Sequence, residues 1–182
     1  TRDAEANPRD FIRLVLNNIA SETESTTMLT LLRQLVTTAH SFVAPQHRSS
    51  VISQIGAGLL NLARTAQPGS DAQLQFTKFF AIFANNEDLL DALENIRDEK
   101  EKLSGLKIDA DLNWELLSGL VVGGRADEAE IDQQLAADNT SNGQKAAAGA
   151  RAMLPSAESK EKAWHTLTQT HDLSNILVDA AS

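Results

Sequence analysis

Between Ser25 and Ala39 the chain reads STTMLTLLRQLVTTA. Its apolar residues Met28, Leu31, Leu32, Leu35, Val36 and Ala39 recur at the three- and four-residue spacing that lines them up as one stripe on an α-helix and on no strand. Ahead of it, Ser21 and Glu24 are spaced as a capping box, with Ser25 and Thr26 as alternative caps. Working back, Pro8 suits the first turn of a shorter helix whose buried face is Phe11, Ile12, Val15 and Ile19.

Working forward, the break Val43-Ala44-Pro45 leads into a helix bearing Val51, Ile52, Ile55, Leu59, Leu62 and Ala63. It ends before Gln67-Pro68-Gly69. Ser70 caps a helix on which Phe76, Phe79, Phe80 and Phe83 share one face, and buried core is the reading favoured over an aromatic groove for a partner. Asn86 precedes a helix with Leu89, Leu90, Leu93 and Ile96 inside and Glu87, Asp88, Asp91 and Glu94 outside. The charged segment from Arg97 to Lys107, with Gly105, reads as a loop. Asp109 and Asp111 open the next helix, where negative charge meets the positive end of the helix dipole. Its core face is Leu112, Leu116, Leu117, Leu120 and Val121, and Gly123-Gly124 stops it.

Asp127, Glu128 and Glu130 start a helix containing Ile131 and Leu135, and an alanine-rich helix follows from Ser141 to Met153. Pro155 and Ser156 introduce one with Ala157, Trp164 and Leu167. The last carries Leu173, Ile176, Leu177 and Ala180. No strand-like alternation persists. The expectation is an all-α chain of about ten helices, paired as 8–42, 45–84, 87–122, 126–153 and 156–180 and stacked as a right-handed, HEAT-like solenoid of antiparallel pairs. Residues 1–182 read as a single helical-repeat domain.

Composition narrows the chemistry. Of 182 residues, 42% are apolar, enough for a real core, and 25 acidic against 16 basic residues leave a net charge of −9. That sign opposes both nucleic acid and anionic lipid as partners. The longest stretch free of charge and histidine, Ser49 to Ala63, is too short and too polar to span a bilayer, and no signal peptide is visible. A cytoplasmic setting is expected. The chain has no cysteine, which excludes disulfides, thiolate metal sites and cysteine nucleophiles together.

Catalytic patterns fail one by one. Zinc hydrolysis calls for two His one helical turn apart plus a carboxylate, but His40, His47, His165 and His171 give no such pair. Asp109-Ala-Asp111-Leu-Asn113 begins like a calcium loop, yet Trp114 stands where glycine is required and Leu120 where a bidentate Glu belongs. Gly56-Ala-Gly58 starts like a dinucleotide fingerprint, but Asn61 replaces the third glycine and no strand precedes it; close helix packing accounts for it better. Acidic pairs such as Asp127/Glu130 and Glu128/Asp132 read as solvated faces rather than acid–base partners. Asn139-Thr-Ser141 is a chance match to a glycosylation sequon. Nothing brings Arg33, Arg48, Arg125 and Arg151 together. No catalytic, cofactor or metal residue is assigned in this chain.

Several phrases carry a resemblance. They are Ser25-Thr-Thr with Leu31-Leu-Arg-Gln-Leu35, Val43-Ala-Pro45 with His47-Arg48, and Asp111-Leu112 with Trp114 and Leu116-Leu117. Further on come Glu128-Ala-Glu-Ile-Asp132, Leu135, Asp138-Asn-Thr140, Ala150-Arg-Ala152, Pro155, Ala157-Glu158, Lys160 and Ala163-Trp164. Together they resemble the C-terminal helical domain of bacterial aminopeptidase N, of the type similar to the endoplasmic-reticulum aminopeptidases. The resemblance implies a non-catalytic domain of a zinc metallopeptidase that removes residues from peptide N-termini. In that family H-E-x-x-H with a downstream Glu holds zinc, G-x-M-E-N binds the amino terminus and a Tyr stabilises the transition state. This chain has none of them, and no Tyr at all.

The implied role is a bowl that covers the active site and limits peptide access. Its partners would be the catalytic domain of the same polypeptide and peptide substrates, with zinc in the parent only. An acidic wall at Asp127, Glu128, Glu130 and Asp132 would concentrate protonated amino termini. The chain is expected to be a fragment truncated at both ends, whose cut faces around Phe11 to Ile19 and Leu173 to Ala180 could self-associate. An independent helical-repeat scaffold for protein–protein interaction is the alternative.

Overall fold

The computed structural model describes residues 7–154, and every regular element among them is helical. The eight α-helices are α1 (Pro8–Asn18), α2 (Ser25–Thr37), α3 (Pro45–Thr65), α4 (Asp71–Phe83), α5 (Glu87–Arg97), α6 (Ala110–Val122), α7 (Glu128–Ala137) and α8 (Ser141–Ala152). The two helices expected after Pro155 lie outside the described residues. Contacts divide the chain into two compact units, Thr1–Lys107 and Ile108–Ser182.

In the first unit, α3 is the central element and packs on α1, α4 and α5, while α2 packs on α1 and α4. The stripe on α2 is inward as read: Met28, Leu32, Leu35 and Ala39 are buried, with Leu31 and Val36 at its edges. Phe76, Phe80 and Phe83 of α4 are fully buried and belong to the core, while Phe79 at the edge of that face is half-buried. Gly56 permits this packing. A Cβ there would lie 2.7 Å from the Phe83 carbonyl oxygen, so α3 meets the end of α4 backbone to side-chain-less backbone. The buried Gln73 closes the α3–α4 turn: its Nε2 donates to Ala63 O at 3.3 Å and its Oε1 accepts from Gly69 N–H at 2.8 Å.

The charged 97–107 segment is a loop, but an anchored one. Leu103 is buried, and the Arg64 guanidinium grips Glu101 with bonds of 2.7 and 2.9 Å. Gly105, at φ 78°, lies against the Pro68-Gly69 turn so closely that a Cβ would be 2.5 Å from Gly69 N. Glycine is needed there on both counts.

In the second unit, α8 packs on both α6 and α7. Leu112, Leu116, Leu117, Leu120 and Val121 of α6 are buried. Its end is a Schellman turn: Gly124, at φ 71°, donates to Val121 O, and Arg125 N–H donates to Leu120 O at 2.8 Å.

One local expectation is corrected. The Ser21/Glu24 capping box does not form, because Ile19–Ser21 tightens into a 3₁₀ turn in which Ser21 Oγ donates to Asn18 O. Glu22 instead accepts from the Thr23 and Glu24 N–H groups, α2 starts at Ser25, and neither Ser25 nor Thr26 caps it. Beyond its last α-helical turn, α2 runs on as a π-helical stretch, Thr38–Phe42, up to the Val43-Ala44-Pro45 break. The helix α7 contains Ile131 and Leu135 as expected; Ile131 and Gln134 are buried and Leu135 is half-buried.

Candidate functional site

The caps account for most of the residues that could suggest chemistry. Asp109 accepts from Leu112 N–H at 2.9 Å and so opens α6. Asp127 and Glu130 form a reciprocal capping box on α7: Asp127 accepts from Glu130 N–H at 3.4 Å, and Glu130 accepts from Asp127 N–H at 3.0 Å, while Asp127 also accepts from Ala129 N–H at 2.8 Å. Asp132 is ion-paired with Arg151 of α8. Gly58 faces the Leu16 side chain, 3.0 Å from where its Cβ would be, a packing role like that of Gly56.

The histidines divide. His40 is exposed on the π-helical stretch and His47 on the first turn of α3, with the Val43-Ala44-Pro45 break between them. His165 and His171 lie outside the described residues. Among the described residues no three His, Asp or Glu side chains come together as a metal-binding group. Arg33 is exposed on α2. Arg48 donates to Val43 O at 3.5 Å, and its Nε is buried without a hydrogen-bond partner.

A concavity in the first unit joins the start of α1 to the approach to α3. Pro8 and Arg9 from the start of α1 face Phe42, Val43, Ala44 and His47, and Asn7 completes a groove of about 340 Å³. Asn7 caps α1 by accepting from Arg9 N–H at 3.0 Å, and Pro8 and Pro45 each open a helix at its first position. The lining mixes Pro8, Phe42 (46% exposed), Val43 and Ala44 with the polar side chains of Asn7, Arg9 and His47. That combination suits binding rather than bond-breaking, since no nucleophile–base pair is present. Sequence reading missed it because its halves lie far apart in the chain.

The second unit holds a hydrogen-bonded node. Trp114 of α6 is buried, and its Nε1–H donates 2.9 Å to Asp138 Oδ2 in the α7–α8 turn. Thr140 Oγ1 donates 2.8 Å to Asp138 Oδ1 and accepts 3.1 Å from Gly143 N–H, capping α8. The Trp114 indole first, and then the Thr140 hydroxyl, hold the Asp138 carboxyl below its ordinary value of 3.8. Trp114 and Asp138-Asn-Thr140, separate phrases of the sequence resemblance, therefore meet in space.

Over residues 1–181 the chain matches the family described as the ERAP1-like C-terminal domain. It belongs to that family. This ERAP1-like C-terminal domain is also 32% identical over 180 residues to aminopeptidase N of Streptomyces lividans, a match covering 99% of the chain and 21% of that protein. The chain thus spans about a fifth of the length of the curated relative. Membership explains why an ordered set of phrases spread over many helices, rather than one motif, carried the resemblance. No helix of the ERAP1-like domain, among its described residues, is long and apolar enough to cross a membrane.

Proposed function

We propose that this chain is the non-catalytic helical domain of a zinc aminopeptidase N, which removes N-terminal residues from peptides. In this reading the domain covers the active site of the parent enzyme and limits peptide access to it. The observation that carries it is the 32% identity across 99% of the chain to a protein named aminopeptidase N, most of whose length lies outside the match. That leaves room for a separate catalytic domain holding the zinc. The partners are that catalytic domain, in the same polypeptide, and peptide substrates. A cytoplasmic setting and stacking of the helix pairs as a right-handed, HEAT-like superhelix belong to the same proposal, as does self-association through the outer helices when the domain stands alone.

The chain's own chemistry supports an accessory part. Its conspicuous carboxylates serve as helix caps or ion pairs, and the sequence has no Tyr to stabilise a transition state. The test is zinc content and leucyl-anilide hydrolysis, measured side by side on this chain and its full-length parent. The expected result is about one zinc per molecule and turnover in the parent, with neither in the isolated chain. A metal-free, inert parent would overturn the proposal and favour an independent scaffold.

A further inference from the structure

We propose that Asn142-Gly143, at the start of α8, is a spontaneous deamidation site whose rate is governed by the Thr140 cap. Asn142 is exposed on the first turn of α8, and Gly143 follows it without a side chain to hinder ring closure. The chemistry is self-contained. The Gly143 amide nitrogen loses its proton to solvent and attacks Asn142 Cγ. The bond from Cγ to the side-chain nitrogen breaks, ammonia leaves, and a succinimide closes. Water then opens the ring at either carbonyl, giving aspartate or isoaspartate.

The folded turn holds that reaction back in two ways. Helical backbone angles keep the Gly143 nitrogen off the line of attack on Asn142 Cγ. Its N–H is also committed to Thr140 Oγ1 at 3.1 Å. Reaction therefore proceeds from the minor population in which the first turn of α8 has opened. The fold cannot escape by replacing the glycine, because a Cβ at 143 would lie 1.9 Å from the Asp138 carbonyl oxygen. The two products differ in consequence. Aspartate puts a negative charge in the first helical turn, where the dipole favours it. Isoaspartate inserts an extra methylene into the backbone and displaces Gly143 from its contact with Asp138, loosening the Trp114–Asp138–Thr140 node.

The test is prolonged incubation of the chain at mildly alkaline pH, with peptide mapping by mass spectrometry. A short peptide spanning 138–146 provides the unprotected rate. Conversion should map to residue 142, run slower than in the peptide, and vanish in Asn142→Gln. Thr140→Val should accelerate it about fivefold, the population change that loss of a helix cap produces, while Thr140→Ser should leave it unchanged. If Thr140→Val does not fold, sub-denaturing urea on the natural chain should raise the rate toward that of the peptide. A chain rate equal to the peptide's, or one indifferent to both cap removal and urea, overturns the proposal.

Discussion

Gly143 has no room for a side chain, since a Cβ would press to 1.9 Å from the Asp138 carbonyl. Gly143→Ala is therefore expected to cost about 1–3 kcal/mol, the range for forced overpacking, read as a lower urea midpoint at unchanged slope. Asp138 itself carries a pH signature. Its folded value is depressed, so the stability it contributes is present above 3.8 and is lost as pH falls through the lower folded value. Glu101, held down by the Arg64 fork, has the same sign from 4.5 downward, discounted because solvent reaches both side chains and screens the pair. Trp114→Phe removes the main cause at Asp138. The expected outcome is a shallower loss of stability below pH 3.8 than in the natural chain, measured by thermal melts across an acid series. None of this pairing was legible in sequence: Asp138 reads as one more exposed carboxylate until α6 and the α7–α8 turn bring Trp114 to it.

At the scale of elements, local chemistry was legible wherever the signal and its target are neighbours. Ser70, Asn86 and Asp109 cap α4, α5 and α6, each by accepting from the N–H group three places on. Ser70→Ala is expected to cost about 1 kcal/mol and Ser70→Asp almost nothing, compared by denaturant melts. Sequence reading went astray where two local solutions compete. Ser21/Glu24 has the spacing of a capping box, yet Glu22 takes the Glu24 N–H that Ser21 would need, together with the Thr23 N–H. The π-helical stretch Thr38–Phe42 packs on α1 and α3, elements whose approach no local spacing announces. Packing between elements shows in Gly56 of α3. Gly56→Ala pushes a methyl to 2.7 Å from the Phe83 carbonyl, and its expected cost is about 1–3 kcal/mol. That exceeds anything helix propensity predicts, since propensity alone favours alanine there.

For the molecule as a whole, charge and core set the behaviour. The net charge of −9 sets up a repulsion between copies at neutral pH. Protonating the carboxylates removes that repulsion, so turbidity is expected to peak near pH 4.8 and clear again on either side. Phe80 has no exposed surface. Phe80→Ala is expected to cost about 3–5 kcal/mol, a large share of what a domain of this size holds in reserve, and calorimetry would report it as a much lower Tm. The sequence by itself determined the helical class, most helix limits, the inward faces and the family. Each follows from relations among residues within a few turns of one another, or from a pattern spread along the whole chain. Only the tertiary structure decided the groove between Pro8 and Phe42, the clasp of Arg64 on Glu101 and the node at Trp114. Those join residues far apart in the chain, and no local spacing encodes which of many exposed carboxylates a distant side chain will reach once the helices have packed.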